Sequence, residues 1–235
     1  MSSAMRTGII AVAAVALGLG LAGCGSDTKS ESTTPSEETS AAAAGTTEPS
    51  AAPPPGSAKA TGANYTIVEY IRDNGIVETP VRRGDPGAPD IELPFPPGWS
   101  DAGPRAPEWA YGAIVSDDPA MAQDPPTVIA LVSKLTGNVD PAKILEFAPN
   151  EIKNMPKYEG AEEGSPSTLA GFEAVQIGGT YTKDGVLRAI AQKTVVIPGQ
   201  DGLYVLQLNA DGREDQMGAL MDATSVIDEQ TTITP

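Results

Sequence analysis

The stretch that decides the fold is 174–208, "AVQIGGTYTKDGVLRAIAQKTVVIPGQDGLYVLQL". It contains three runs rich in β-branched residues, at 174–182, 186–198 and 203–208. Short glycine-containing segments, 183–185 and 199–202, separate these runs and are typical of tight hairpin turns. Because strands joined by tight turns pair with their neighbours in sequence, the stretch predicts a three-stranded antiparallel meander.

Further strands are predicted upstream of the meander. Segment 90–99, "DIELPFPPGW", alternates apolar residues up to Trp99 and is closed by Pro96-Pro97-Gly98. Segments 111–116 and 127–133 are rich in β-branched residues and predict two more strands. We expect 80–89 to form turns and 162–167 to form a loop.

Two helices are predicted before the meander. Segment 65–74 places Ile67, Val68 and Ile71 on one face, with Asn64 as the expected N-cap. The second helix begins at Asp140-Pro141, where a capping side chain is followed by a proline at the first helical position. Pro149 should kink or split this second helix, because proline lacks the backbone donor that a helix interior needs.

A third helix is predicted after the meander, over 211–228, and should lie on the sheet. Its expected apolar face consists of four residues: Met217, Leu220, Met221 and Thr224. The element order α-β-β-β-α-β-β-β-α predicts an α+β fold, in which an antiparallel sheet is flanked by helices.

Composition divides the chain into three parts. Residues 1–23 hold a short basic start and an apolar stretch, and they predict a signal peptide. Residues 24–62 are nearly all small, polar or proline, so they cannot bury enough apolar surface to fold and predict a disordered tether. Only 63–235 has the apolar content of a globular domain.

The junction of the first two parts reads Leu21-Ala22-Gly23-Cys24 and holds the only cysteine of the chain. This sequence resembles a bacterial lipobox, in which the cysteine thiol receives a diacylglycerol and the leader is cleaved between Gly23 and Cys24. An ordinary secretory signal with a chance cysteine is the alternative. We expect Cys24 to anchor the protein, through its acyl chains, to the extracytoplasmic face of the plasma membrane, with partial release or surface exposure as a further expectation.

Charge and residue absences exclude several classes of function. The formal net charge is −16, which opposes binding to phosphate backbones, so we expect no nucleic-acid partner. The chain has no histidine, which excludes Ser-His-Asp triads and histidine metal sites. Paired carboxylates occur at 117–118 and 162–163, but both pairs lie in predicted loops that would not raise a pKa. We therefore expect no enzymatic activity, no cofactor and no metal site.

The globular part resembles the mycobacterial LpqN/LpqT lipoprotein family over 64–235. Four segments carry the resemblance: "ANYTIVEYIRDNGIVETPVRRGDPGAPDIELPFPPGW" (63–99), "ALVSKLTGNVDPAKILEFAPNEIKNMP" (130–156), "AQKTVVIPG" (191–199) and "DATSVIDEQTTITP" (222–235). The family is similar to the PsbP-like proteins, which implies an α/β sandwich. It also implies a non-enzymatic envelope protein associated with glycolipid (mycolate) traffic and with protein partners.

These observations leave two functional hypotheses. The first is a module that binds an amphiphilic envelope ligand, such as a trehalose mycolate, or that assists a membrane lipid transporter. Its candidate cleft residues are the following: Trp99, Trp109, Tyr111, Met155 and Phe172. The simpler interpretation of these side chains is core packing. The second hypothesis is a protein-interaction module with a closed core, no ligand cleft and an exposed apolar patch.

Overall fold

The computed structural model describes residues 62–235 and confirms the predicted meander. Strands β8 (Phe172–Lys183), β9 (Val186–Gly199) and β10 (Gly202–Arg213) pair antiparallel in sequence order. Asp184 and Gly185 form the tight turn between β8 and β9 and both have positive φ angles, 51° and 80°. The predicted signal peptide, Cys24 and the tether up to residue 61 lie outside the described residues.

The meander is the centre of a nine-stranded sheet. The other strands of this sheet are β1 (Val77–Val81), β3 (Trp99–Asp101), β4 (Gly112–Ser116), β5 (Thr127–Thr136), β6 (Glu159–Gly160) and β7 (Ser165–Leu169). The strand order is β3-β4-β5-β10-β9-β8-β6, with β1 also paired to β5 and β7 also paired to β8. A separate two-stranded ribbon joins β2 (Asp90–Glu92) to the C-terminal strand β11 (Thr232–Thr234).

Several sequence predictions for the strands are corrected. Segment 90–99 is not one strand, because β2 ends at Glu92 and pairs with β11, while Trp99 begins β3 on the main sheet. The expected turn region contains part of β1, and the expected loop 162–167 contains the start of β7. β1 and β7 are strands because their backbones pair with β5 and β8, respectively. The local sequence of the two segments does not predict this pairing.

The helices lie near their predicted positions with shifted ends. Helix α1 (Ile67–Asp73) is capped by Thr66 rather than Asn64, because the Glu69 carboxylate accepts a 2.7 Å hydrogen bond from the Thr66 backbone N–H. Val68, predicted on the apolar face, is 38% exposed, and the buried face is formed by Ile67 and Tyr70.

Pro149 divides the second predicted helix as expected, giving α2 (Pro141–Phe147) and α3 (Pro149–Lys153). Asp140 caps α2 and accepts a 2.9 Å bond from the Ala142 N–H.

The C-terminal helix α4 (Met217–Gln230) begins six residues later than the predicted 211, because β10 continues to Arg213. Its buried face is Leu220, Ala223 and Ile227. Met221 is 64% exposed, so it does not belong to the apolar face that the sequence predicted.

Two core clusters lie on opposite faces of the sheet. On one face, α4 packs on β10, and side chains such as Val195, Leu206 and Leu220 form the larger cluster. On the other face, α1 and α2 pack over β9 and the neighbouring strands, with Ile144 and Leu135 in the second cluster. The α+β class, an antiparallel sheet flanked by helices, is therefore confirmed. Of the helices within 62–235, none is long and apolar enough to cross a membrane.

Candidate functional site

An open groove lies on the α4 face of the sheet, beside the helix. It has a volume of about 430 Å³. We call it the α4 groove, and its main lining residues are Gln176, Gly178, Ala191, Lys193, Leu208, Met221, Thr224, Ser225, Ile227 and Asp228. The groove exists because α4 covers β10, while the same face of β8 and β9 is left uncovered next to it.

The helix wall of the groove follows from helical spacing. Met221, Thr224, Ser225 and Asp228 stand at i, i+3, i+4 and i+7, which places them on one side of α4. This side faces the uncovered strands, while Leu220 points to the core and Ile227 lies between the core and the groove. The exposed Met221 lies at the rim, where a flexible thioether can adapt to ligands of different shape.

The floor of the groove is made of small residues. Gly178 of β8 is paired with Ala191 of β9, and both residues line the groove with little or no side chain. Ala210, also in the floor, is 2% exposed. Large side chains at these positions would fill the groove, so its volume depends directly on these small residues.

One ion pair adds charge to this otherwise mostly apolar surface. The Lys193 Nζ lies 2.7 Å from the Asp228 carboxylate, and the lysine side chain is only 9% exposed. Together with the Gln176 amide and the Ser225 hydroxyl, the pair offers donors and acceptors at one part of the groove. Apolar surface next to a few polar groups is the pattern of sites that bind small amphiphilic molecules.

The five predicted cleft residues do not lie together. Trp99 and Tyr111 are buried in the larger core cluster, and Phe172 packs against that cluster. Met155 packs in a small cluster on the opposite face of the sheet, and Trp109 is half-buried in the loop before β4. None of the five lines the α4 groove. Their role in ligand binding stays a prediction.

The residues that line the groove were not predicted from the sequence. Two signals were present in the chain. Lys193 is the single charge in the second half of a long β-rich run, which indicates a buried or paired lysine. The helix also carries a second stripe, Thr224, Ser225 and Asp228, next to its apolar face.

A polar cluster lies on the opposite face of the sheet, under α3. The Glu151 carboxylate accepts hydrogen bonds from the Gln207 amide at 3.0 Å and from the Gln192 amide at 3.4 Å. Burial raises the pKa of Glu151 because it removes water from the charged form, and the hydrogen bonds from the two glutamine amides oppose this rise. Two buried oxygens beside it, Gln192 Oε1 and Thr194 Oγ1, have no hydrogen-bond partner.

A second polar network fixes the acidic loop that precedes β5. Arg188 Nε donates to Asp211 at 2.8 Å, and Arg188 Nη1 donates to Asp124 at 2.7 Å. The Tyr181 hydroxyl donates to Asp211 at 2.6 Å; burial and this hydrogen bond both raise the pKa of the tyrosine. All the charged groups of the network are paired with one another, so its role is to hold the loop. Within 62–235, no group of three or more acidic, histidine or cysteine side chains is arranged to hold a metal ion.

Fold and groove together define an α+β domain with an antiparallel sheet, a C-terminal helix on one face and an open, mostly apolar groove beside that helix. The family model described as "Probable lipoprotein LpqN" matches residues 63–234. The chain belongs to this LpqN lipoprotein family.

Matches in sequence and in structure show the closeness of this relationship. The lipoprotein LpqN of Mycobacterium tuberculosis is 59% identical over 225 residues, covering 96% of this chain and 97% of the relative. A crystal structure of LpqN, described as involved in cell envelope biogenesis of Mycobacterium tuberculosis, matches with a TM-score of 0.70 and 58% identity. The match covers 74% of this chain and all of the crystallised one.

Proposed function

We propose that this protein is a membrane-anchored cell-envelope lipoprotein whose α4 groove binds an amphiphilic envelope ligand, such as a trehalose mycolate. The observation that carries the proposal is the groove itself, an open volume of about 430 Å³ between α4 and the meander. This volume is in the range of small-molecule sites, roughly 300–1,000 Å³. The relative described as taking part in envelope biogenesis supports an envelope role for this chain as well.

The lining of the groove supports an amphiphile over a purely apolar or purely polar ligand. Leu208, Ile227 and Ala191 supply aliphatic surface for a hydrocarbon chain. Lys193 and Asp228 supply a donor and an acceptor for hydroxyl groups, and the ion pair keeps both charges balanced before the ligand binds. Binding of a ligand through these contacts involves no chemical reaction of the ligand.

The location we propose follows from the N-terminal sequence. Cys24, as the acylated first residue of the mature protein, would hold the domain at the extracytoplasmic face of the plasma membrane. The predicted tether at 24–62 would let the groove reach the membrane surface and a neighbouring lipid transporter.

The exposed tip of the β8–β9 hairpin favours a protein partner as a second role. Val186 and Leu187 are 41% and 49% exposed, next to the turn at Asp184 and Gly185. Such a tip can dock a partner protein, including a membrane lipid transporter. A pure interaction module without a ligand predicts a closed core with no cleft and an exposed apolar patch. The open α4 groove supports the ligand-binding proposal over it.

The test is direct titration of the full chain carrying Cys24→Ala with trehalose monopalmitate below its micellar concentration. We expect saturable binding by calorimetry. Ser225→Trp, which places a large side chain at the exposed groove rim, should weaken binding at least tenfold. Asp222→Trp, on the same helix but outside the groove lining, is the matched control and should bind like the parent chain. Equal binding by both tryptophan variants would contradict the proposed site.

A further inference from the structure

A cluster of polar side chains crosses two central strands of the sheet, on the face opposite the α4 groove. Gln192 and Thr194 alternate along β9, and their partners across β10 are Asn209 and Gln207. Because alternate residues of a strand point to the same face, the four side chains lie together. Glu151 of α3 completes the group by accepting hydrogen bonds from the Gln207 and Gln192 amides. We call these five residues the Glu151 cluster.

The buried groups of the cluster that lack a partner are oxygen atoms. Gln192 and Thr194 are 5% and 0% exposed, and their Oε1 and Oγ1 atoms have no hydrogen-bond partner among the described residues. Gln192 Oε1 belongs to the same amide group as the nitrogen that donates to Glu151, so this oxygen lies close to the carboxylate. An amide oxygen only accepts, and an ionised carboxylate only accepts as well. The cluster therefore offers oxygen atoms to a donor or to a cation.

The charge of the cluster is that of one carboxylate without a basic partner. None of the ion pairs within 62–235 includes Glu151. Burial raises the pKa of Glu151, and the Glu78 and Glu69 carboxylates raise it further. A buried carboxylate in a protein is protonated, paired with a base or bound to a metal ion. Because three acidic groups act on one place, a cation bound there would stabilise the ionised form of Glu151.

We infer that the Glu151 cluster binds a monovalent metal cation such as Na⁺, held by the Glu151 carboxylate, Gln192 Oε1 and Thr194 Oγ1. Hard cations prefer oxygen ligands, and all three ligands are oxygen atoms. The ion is monovalent because one carboxylate among neutral oxygens balances one positive charge. Gln207 and Asn209 are half-buried, so the ion can enter from that end of the cluster. This site lies on the other face of the sheet and is independent of the proposed ligand-binding function.

The experiment compares the melting temperature of the full chain carrying Cys24→Ala in NaCl and in tetramethylammonium chloride. Both salts are used at about 150 mM, so that charge screening is equal, and tetramethylammonium is too large to be coordinated by these oxygens. The buffer is at about pH 8, because a bound cation competes with the proton on Glu151. We expect the melting temperature to be at least about 3 °C higher in NaCl. Glu151→Gln should lose this difference, and Glu162→Gln, on an exposed loop, is the matched control that keeps it.

Thr194→Val separates an ion ligand from a hydroxyl that is merely unpaired. In tetramethylammonium chloride this variant should be at least as stable as the parent chain, because valine removes a buried oxygen that has no protein partner. In NaCl it should lose most of the gain in melting temperature, because the ion loses one ligand. Sodium NMR gives a direct measurement of the ion. The parent chain and Glu162→Gln should broaden the sodium signal more than Glu151→Gln and Thr194→Val do.

Two results would overturn the cation site. Equal melting temperatures of the parent chain in the two salts, or an undiminished gain from NaCl in Glu151→Gln, would mean that the buried oxygens are partnered by water alone. Stabilisation by about 1 mM CaCl₂, with none from NaCl, would contradict a monovalent ion. Neither result bears on the α4 groove, whose ligand is tested separately by titration with the trehalose ester.

Discussion

Lys193 on β9 and Asp228 on α4 form a 2.7 Å ion pair that joins the sheet to the helix inside the α4 groove. The two partners differ in solvent access, because the lysine side chain is 9% exposed and the aspartate side chain is 40% exposed. Removing Asp228 and removing Lys193 should therefore lower the free energy of unfolding by different amounts. An exposed carboxylate can be hydrated, whereas a buried ammonium left alone cannot.

The first prediction concerns this asymmetry. Asp228→Asn should lower the free energy of unfolding by about 2 kcal/mol, because it leaves the Lys193 charge buried without a counterion. Lys193→Met should change it by less than about 1 kcal/mol, because methionine fills a similar volume and Asp228 reaches water. Urea denaturation at neutral pH measures both. The larger loss in Lys193→Met would contradict this account of the pair.

The second prediction concerns the network around Arg188. Arg188→Ala should cost about 2–4 kcal/mol, because it leaves Asp211 without its cation and releases Asp124 and the loop before β5. Limited proteolysis should then cut within 117–126. Arg213→Ala is the control: its ion pair with Asp215 is exposed on both sides and its loss should leave stability and proteolysis unchanged. Protection of the loop in Arg188→Ala would show that the network does not hold it.

The third prediction concerns the pH dependence of stability at Glu151. Burial raises the pKa of this carboxyl above its ordinary 4.5, so the native state holds the proton more tightly than the unfolded state. Its favourable contribution is present below the ordinary pKa and is lost as pH rises through the raised native pKa. Glu151→Gln removes that loss and adds a donor near the unpaired Gln192 Oε1.

Glu151→Gln should therefore be more stable than the parent chain by about 1 kcal/mol at neutral pH, and the difference should shrink toward pH 4.5. Thermal denaturation across this range measures it. Glu162→Gln, on an exposed loop, should show no such trend. A difference that stays constant with pH would mean that Glu151 does not titrate across this range.

The fourth prediction concerns the turn between β7 and β8. Ala170 and Gly171 occupy it with φ angles of 49° and 85°, and alanine is poorly suited to the left-handed region. Ala170→Asn should stabilise the domain by about 0.5–1 kcal/mol, because asparagine is favoured there. Gly171→Ala should destabilise it by a similar amount. Chemical denaturation of both variants checks the sign, and a loss of stability in Ala170→Asn would count against the assigned turn.

The sequence predicted the parts of the fold that have strong local signals. The meander was predictable because its turns carry glycine between long β-rich runs, and Pro149 was predictable as a helix break because proline lacks a donor. The short strands β1, β2 and β11 were not predicted as they stand, since each exists only through pairing with a distant segment. Val77 of β1 faces Thr136, and Ile91 of β2 faces Ile233.

The groove was harder to predict from the sequence than the fold. A site built from Gly178, Ala191 and Ala210 depends on missing side chains, and small residues in a strand carry no chemical signal of their own. The notable aromatic residues, Trp99 and Tyr111, are buried in the core. The position of α4 over β10 rather than over β8 is a matter of tertiary packing, and this position creates the open space.

The most direct measurement is photocrosslinking of the full chain carrying Cys24→Ala with a trehalose ester that bears a diazirine in its acyl chain, followed by peptide mapping. The account predicts labels in the α4 groove, on peptides containing Ala191, Met221 and Ile227, and their loss in Ser225→Trp. Labels confined to the hairpin tip at Val186 and Leu187, or spread over the surface and unchanged in Ser225→Trp, would contradict a ligand site in the α4 groove.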